Sequence, residues 1–199
     1  MSKRILDLSL SMLALIFLSP VILSIGVIIL ITLGNPILFI QKRPGINSNI
    51  FTFYKFRTMM NITEKNSTLL SDKDRITKFG SFLRRTSLDE LPSLINVIIN
   101  DMSLVGPRPL LTDYIPLYSE EQLKRQEVKP GITGWAQING RNKISWEEKF
   151  ELDIWYIKNR TFYLDIKILF FTIWKVLLRE GISYSQNETM PKFEGSSNE

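Results

Sequence analysis

The longest apolar stretch of the chain lies near its N-terminus, where no charged residue occurs from Leu8 to Ile40. A helix needs about 20 apolar residues to cross a bilayer, so this stretch is long enough to enter or span a membrane. The pair Ser19-Pro20 lies in its middle. Proline removes a helical hydrogen bond, whereas the neighbouring serine can satisfy the carbonyl that is freed. The pattern predicts a membrane helix that is kinked or broken at Ser19-Pro20.

The charges on either side of this stretch bear on its topology. Lys3 and Arg4 precede it, and Lys42, Arg43, Lys55 and Arg57 follow it. Because cationic flanks tend to stay in the cytoplasm, both ends are expected on the same side. We therefore favour a re-entrant helix–break–helix over residues 1–35, with a kinked spanning helix as the alternative. The domain over residues 36–182 is then cytoplasmic.

Beyond the apolar stretch, the pattern changes to alternation and then to helical spacing. The strings ILFIQKR and NIFTFYKFRTM, joined by PGINS, predict a β-hairpin. Capping boxes at Ser119 and Ser145 predict two helix starts. The segments RITKFGSFLRR and LDIKILFFTIWKVLLR predict apolar-faced helices that lie on a membrane surface or pack in the core. The fold class is α+β and mostly helical, with interfacial amphipathic helices around a cytoplasmic active site and a flexible tail over 183–199.

Composition narrows the chemistry. Lys and Arg outnumber Asp and Glu by 25 to 20, which favours an anionic partner such as a phosphate, a nucleotide or membrane lipid. No nucleic-acid-binding motif is present, so nucleic acid is not an expected partner. The chain has no cysteine and no histidine, which excludes thiol nucleophiles and imidazole bases. A bound metal would be a hard ion held by oxygen, with Mg²⁺ favoured.

Two loops are rich in glycine, proline and arginine: SLVGPRP (103–109) and KPGITGWAQINGRN (129–142). Arg108 lies between two prolines, so its backbone is rigid and its guanidinium suits bidentate binding of a phosphate. Gly131, Gly134 and Gly140 would let backbone amides approach a ligand closely. Ordinary turns are the alternative for each motif alone. Together the two loops predict a site for a diphosphate-containing ligand.

The stretch SLDELP places two carboxylates side by side. A capping box from Ser87 to Glu90 explains those two residues but leaves Asp89 unexplained. A carboxylate at a helix N-terminus is favoured in its ionised form, which can coordinate Mg²⁺ or attack phosphorus. Glu90 can then serve as a metal ligand or proton acceptor. The pair is thus a candidate catalytic dyad as well as a cap.

The motifs KFRTM, SLDELP, DMSLVGPRP, KPGITGWAQINGRN and SWEEKFELDIWYIKN closely resemble those of the small bacterial monotopic phosphoglycosyl transferases. The resemblance implies transfer of a phospho-sugar from a UDP-sugar to undecaprenyl (polyprenyl) phosphate, with release of UMP, at the cytoplasmic face of the inner membrane. It implies that Asp89 is the nucleophile and Glu90 its partner, with Mg²⁺ at the pair. The other implied site residues are Lys55, Arg84, Arg108 and Arg141 near the substrate phosphates, and Gln137 and Asp165 lining the site.

Several hypotheses remain open at this point. The tail and the segment 145–158 look most like enzymes that initiate bacterial N-linked protein glycosylation with diacetylbacillosamine, and UDP-GlcNAc- or UDP-GalNAc-type donors are alternatives. A non-catalytic membrane-surface scaffold would use the same basic loops to hold anionic lipid. A spanning enzyme with an external domain is a further alternative. The sequence leaves a homodimer open.

Overall fold

The structure, a computed structural model, describes residues 2–60, 72–140, 144–178 and 191–195. Its first element is one long helix, α1 (Ser2–Leu33), with Pro20 inside it. The structure therefore has one helix, not two helices separated by a break at Ser19-Pro20, and a kink at that pair stays a prediction. Pro20 offers no N–H to the carbonyl of Ile16, but Ser19 Oγ donates to that carbonyl at 2.8 Å. The serine replaces the missing hydrogen bond, and the helix continues.

Helix α1 packs against the rest of the molecule near both of its ends. Close to its start, Lys3 Nζ lies 2.5 Å from the buried carboxylate of Asp165. Close to its end, Ile25 and Ile29 are buried in a cluster with Leu83. The opposite side of the helix is apolar and exposed, and one helix in the described residues, over Lys3–Leu33, is long and apolar enough to cross a membrane. The two ends of α1 thus share one protein body.

The predicted β-hairpin is confirmed. Strand β1 (Leu38–Pro44) pairs antiparallel with β2 (Ile50–Phe56), and a 3₁₀ turn joins them. Phe51 and Phe53 of β2 are buried in the main core, which explains the alternation in the sequence.

The remaining regular elements form a mostly helical body. They are α2 (Asp72–Arg75), α3 (Lys78–Thr86), α4 (Leu94–Ile98), β3 (Ser103–Val105), α5 (Glu120–Leu123), β4 (Gly131–Thr133), α6 (Trp135–Asn139), α7 (Trp146–Asn159) and α8 (Phe162–Leu178). Further 3₁₀ helices cover Leu88–Ser93, Thr112–Leu117 and Lys124–Gln126. Both predicted capping boxes, at Ser119 and Ser145, are confirmed by reciprocal hydrogen bonds.

The parallel pair of β3 and β4 was not predicted, because three residues are too few to show a period. A Cβ on Gly131 would lie 2.1 Å from the backbone nitrogen of Gly106, so only glycine allows the two strands to approach this closely. Gly134 likewise packs on the carbonyl of Gly106. These two glycines therefore bring backbone against backbone, whereas the sequence analysis expected them to approach a ligand.

The C-terminal segment also differs from the prediction of a flexible tail over 183–199. In residues 191–195, Phe193 is buried among the rings of Tyr114, Tyr118, Trp146 and Phe150. Trp146 Nε1 donates to the carbonyl of Pro191 at 3.0 Å. One aromatic side chain therefore holds this segment on the body. The rest of the predicted tail lies outside the described residues.

Candidate active site

The dyad lies on the 3₁₀ helix Leu88–Ser93, which follows α3 directly. Ser87 joins the two helices in the left-handed conformation (φ +56°) and its side chain makes no capping hydrogen bond. The predicted capping box from Ser87 to Glu90 is therefore wrong, because Ser87 ends α3 and does not begin a helix in the extended conformation that a cap requires. Glu90 therefore does not cap this helix, and its carboxylate contacts Arg108 instead.

Buried polar contacts join α4, which follows this 3₁₀ helix, to the hairpin and also stabilise the 3₁₀ helix internally. Asn96, fully buried on α4, donates to the carbonyl of Thr52 at 2.7 Å and accepts from the N–H of Tyr54 at 3.2 Å. Ser93 Oγ donates to the carbonyl of Glu90 at 2.6 Å. Since Lys55 follows Tyr54 on β2, these contacts set the position of its amine relative to the carboxylates. The sequence analysis missed Asn96, which lies within an apolar run.

Glu90 is bound by Arg108 in a forked arrangement. Arg108 Nη1 donates to Glu90 Oε2 at 3.2 Å, and Nη2 contacts Oε1. The Arg108 side chain is 46% exposed, so part of its guanidinium remains open to solvent and to a ligand. The predicted phosphate-binding arginine is thus held beside the dyad by one of its two carboxylates.

Asp89 is in a different environment from its neighbour. It is 6% exposed, and none of the described residues donates a hydrogen bond to its carboxylate. Burial, followed by the charge of Glu90, raises the pKa of Asp89 to about 6, while Lys55, Arg108 and Arg84 act to lower it. Its place at a helix N-terminus predicted the ionised form of Asp89. Burial outweighs that effect here.

Two more of the predicted phosphate-binding residues lie at the dyad. Burial lowers the pKa of Lys55, and the charge of Asp89 partly offsets this. Arg84 Nε donates to Thr58 Oγ1 at 3.0 Å, which holds the guanidinium at the end of α3. The charges of Lys55, Arg84 and Arg108 therefore all act on Asp89, and they come from β2, from α3 and from the loop after β3.

The other predicted site residues are placed differently. Arg141 lies outside the described residues. Asp165 accepts hydrogen bonds from Lys3 Nζ (2.5 Å) and Tyr156 Oη (2.6 Å), and no hydrogen bond or ion pair joins it to the dyad. Gln137, on α6, has both side-chain polar atoms buried without a protein partner in the described part of the chain. Such an amide costs about 1–3 kcal/mol unless water or a ligand binds it.

Arg43 is a basic residue near the site that the sequence analysis treated only as a flanking charge. Its Nη1 donates to the carbonyl of Pro109 at 3.3 Å, and its Nη2 to Gln41 Oε1 at 2.6 Å. Burial and the charge of Arg108 lower the pKa of Arg43 to about 10, with Glu90 acting in the opposite direction. Its position on β1, in the first strand of the hairpin, gave no sequence signal for this contact.

The donor set fits Mg²⁺ at Asp89 better than at Glu90. Asp89 accepts no hydrogen bond from the described residues, whereas both Glu90 oxygens contact Arg108. No cluster of three or more acidic side chains that could hold a metal ion occurs in the described ranges. Mg²⁺ commonly binds one or two carboxylates together with substrate phosphate oxygens. The residues present therefore fit an ion that arrives with a phosphate ligand.

Comparison with known proteins identifies the family. The pattern of the family described as bacterial sugar transferase matches residues 1–179, which is most of the chain. The chain belongs to the bacterial sugar transferase family. The chain is 53% identical over 194 residues to the uncharacterized sugar transferase EpsL of Bacillus subtilis, covering 98% of this chain and 96% of that protein.

Two longer relatives carry named activities. The chain is 42% identical over 183 residues to the UDP-glucose:undecaprenyl-phosphate glucose-1-phosphate transferase of Escherichia coli, covering 87% of this chain and 39% of that protein. It is 39% identical over 196 residues to the undecaprenyl-phosphate galactose phosphotransferase of Salmonella typhimurium, covering 90% of this chain and 41% of that protein. The chain thus spans about two fifths of these two relatives.

Proposed function

We propose that this protein transfers a sugar phosphate from a UDP-sugar to undecaprenyl phosphate and releases UMP. The observation that carries the proposal is the environment of Asp89, a buried carboxylate that accepts no hydrogen bond from the described residues and is acted on by the charges of three cations. A structural aspartate would be paired, whereas a nucleophile must keep its oxygen free. The named activities of the Escherichia coli and Salmonella relatives support the same reaction.

In the first step, an oxygen of Asp89 attacks the β-phosphorus of the UDP-sugar. A phosphorus–oxygen bond forms to Asp89, and the bond from the β-phosphorus to the bridging oxygen breaks, so that UMP leaves with the electron pair. Lys55, Arg84 and Arg108 offset the negative charge on the phosphate oxygens. Mg²⁺, when bound with the diphosphate, would supply further charge neutralisation at Asp89.

In the second step, an oxygen of undecaprenyl phosphate attacks the same phosphorus. The bond to Asp89 breaks, which returns the carboxylate and leaves the sugar on a polyprenyl diphosphate. Glu90 is the candidate acceptor for a proton on the incoming phosphate, since it is the adjacent carboxylate. The covalent intermediate allows a soluble donor and a lipid acceptor to use one site in turn.

The identity of the sugar in the UDP-sugar donor is a separate question. The resemblance to glycosylation enzymes suggests diacetylbacillosamine or another N-acetylhexosamine, whereas two relatives are named for glucose and galactose. All of these donors present the same diphosphate to Asp89. The test must therefore include UDP-glucose and UDP-galactose beside the N-acetylated donors.

Intact-protein mass spectrometry tests the reaction and the donor together. Purified protein is mixed with Mg²⁺ and each UDP-sugar in the absence of lipid acceptor. We expect a mass increase equal to one sugar phosphate, with UMP released, for the correct donor, and neither in Asp89→Asn. If every donor fails with folded protein, and no product forms after undecaprenyl phosphate is added, the transferase function is refuted.

A scaffold that only binds anionic lipid requires Asp89 and Glu90 to be capping residues. The structure weakens this alternative, because Ser87 makes no capping hydrogen bond and Glu90 binds Arg108. If the scaffold hypothesis were correct, Asp89→Asn would leave function intact. The mass-spectrometric comparison therefore separates the two hypotheses.

We infer that α1 bends at Pro20 within one continuous helix, so that it enters and leaves the membrane on one face, with the catalytic body on the cytoplasmic side. A helix of 32 residues is about 48 Å long and could span, but both of its ends pack on the same body. The chain has no cysteine, so single cysteines at Ser2 and Asn47 can be labelled without background. We expect neither to react with an impermeant maleimide in intact cells. Labelling of one site alone would indicate a spanning helix.

A further inference from the structure

The loop that carries Arg108 has no regular secondary structure, yet its backbone is held at three consecutive carbonyl groups. The carbonyl of Pro107 accepts from the N–H of Gly131 (2.9 Å), that of Arg108 from Arg125 (2.8 Å) and that of Pro109 from Arg43 (3.3 Å). The two prolines also fix their own φ angles. The backbone beneath the Arg108 guanidinium is therefore held by groups from three separate elements.

Arg125 is the most heavily constrained of these groups. Its side chain is 3% exposed, and Nη2 and Nε donate to Asp153 Oδ2 at 2.8 and 3.3 Å. Nη1 donates to Tyr118 Oη at 3.2 Å, and the guanidinium lies 5.6 Å from the ring centre of Phe150. Every nitrogen of the side chain is thus engaged, and neither Arg125 nor Asp153 is open to a substrate.

A buried ion pair is an expensive way to join two helices, because removing both charges from water offsets much of their attraction. An apolar pair could join α7 to the 3₁₀ helix Lys124–Gln126 equally well. Arg125 adds a contact that an apolar residue cannot make, namely the hydrogen bond to the carbonyl of Arg108. This hydrogen bond connects the buried Arg125–Asp153 pair to Arg108, the residue that binds Glu90.

We propose that Arg125, held in place by Asp153, is a positioning residue that fixes the direction of Arg108 toward the substrate diphosphate. It acts through the main chain and does not touch the substrate. The inference rests on the transferase function proposed above, and it adds two residues that lie outside the motifs surrounding the dyad. In this role Arg125 and Asp153 both keep their charges throughout the reaction.

A double-mutant cycle tests the proposal. Arg125→Lys keeps the charge for Asp153 but cannot reach Asp153, Tyr118 and the Arg108 carbonyl together. We expect it to lower kcat/KM for UMP release from the UDP-sugar about tenfold in the unmodified background and less than twofold in an Arg108→Ala background. A purely structural role would give equal losses in both backgrounds, which would overturn the proposal.

Two further variants keep the result interpretable. Tyr118→Phe removes only the hydroxyl contact to Arg125, so it serves if Arg125→Lys fails to fold, and we expect the same coupling to Arg108 with a loss of about threefold. Lys124→Ala removes the neighbouring exposed cation, which pairs with Glu121, and should leave kcat/KM unchanged in both backgrounds. A loss in Lys124→Ala equal to that in Arg125→Lys would also overturn positioning through Arg108.

The dissociation constant of UDP, measured in the same four proteins of the cycle, separates this inference from the proposed function. Coupled losses in UDP binding without any UMP release would refute the transferase function and retain the positioning role. UMP release with equal losses in both backgrounds would refute only the positioning role. Absence of both UDP binding and UMP release would overturn both.

Discussion

Asp89 and Asp153 are both buried aspartates, at 6% and 2% exposure, yet their surroundings differ. Asp153 accepts two hydrogen bonds from the buried guanidinium of Arg125. Asp89 accepts none from the described residues, and its pKa is raised to about 6. The comparison separates a carboxylate that is satisfied by the fold from one that the fold leaves available. Burial alone would not have distinguished them.

The same contrast extends to the two arginines involved. Arg125 is enclosed by Asp153 and by aromatic rings, whereas Arg108 is 46% exposed and bound to Glu90. The Arg108–Glu90 pair is partly buried, at 46% and 16% side-chain exposure, so a ligand can reach it. The Arg125–Asp153 pair is closed to a ligand. The Arg108–Glu90 pair is therefore suited to binding a substrate, and the Arg125–Asp153 pair is suited to fixing the loop that carries Arg108.

The largest contrast is expected for Asp89→Asn. UMP release should fall by about 10⁴-fold, because the nucleophile is lost. The free energy of unfolding at pH 7.5 should rise by about 1–3 kcal/mol, since a buried ionised carboxylate that accepts no hydrogen bond from the described residues is removed. Activity assays and chemical denaturation in detergent measure the two effects. Asp113→Asn, at an exposed acidic residue, is the control and should change neither. Retained turnover in Asp89→Asn would contradict the assigned role.

For Asp153→Ala we expect a loss of stability, in contrast to the gain expected for Asp89→Asn. The free energy of unfolding should fall by about 3–5 kcal/mol because Arg125 is left buried without its carboxylate. Chemical denaturation checks it. Replacing both partners, as Arg125→Met with Asp153→Leu, should restore much of that stability while UMP release stays low. A stable and fully active double variant would show that the pair only supports packing.

A smaller loss is expected for Phe193→Ala, whose ring packs 5.1 Å from Phe150 and 6.0 Å from Tyr118. The unfolding free energy should fall by about 1–2 kcal/mol, less than for a central core residue, because the segment can detach. Thermal unfolding measures the change. Phe193→Leu should lose less, and Lys192→Ala, at an exposed position of the same segment, should match the unmodified protein.

The smallest effect concerns pH. With its pKa at about 6, Asp89 must lose a proton to attack, so kcat/KM for UMP release should rise with pH through about 6 and then level off. Stability should change in the opposite sense, because a raised folded-state pKa means that the folded protein loses stability as Asp89 ionises. Glu90→Gln removes the main repulsive charge and should move the residual activity profile about one unit lower. A profile that moves higher would contradict this assignment of the repulsion.

Sequence analysis was most successful where the signal was local. The alternation around Phe51 and Phe53, and the capping boxes at Ser119 and Ser145, depend on neighbouring residues and were confirmed. Ser87 also matched a capping box by spacing, but α3 forces it into the left-handed conformation, which the spacing does not reveal. Local patterns therefore located elements better than they assigned side-chain roles.

The features that sequence analysis missed depend on distant partners. Arg125 and Asp153 are 28 residues apart, and no sequence motif indicates that they form an ion pair. Phe193 is a single aromatic residue in a polar tail, and its burial depends on rings contributed by other elements. The continuity of α1 depends on the Ser19 hydroxyl, which the sequence suggested but could not weigh against the proline. Three-dimensional contacts decide each case.

The anchors of α1 have a consequence for how the protein is made. During synthesis, Asp165 is made 162 positions after its partner Lys3, and Val97 is made 93 positions after its partner Arg4. At about 5–20 residues per second, translation delivers Asp165 roughly 10–30 s after Lys3. Until these partners have been made, the apolar side of α1 is exposed and Lys3 and Arg4 have no protein partner. Lipid is therefore available to the apolar side of α1 before the protein surface on which its N-terminus docks, and this docking follows only after Asp165 has been made.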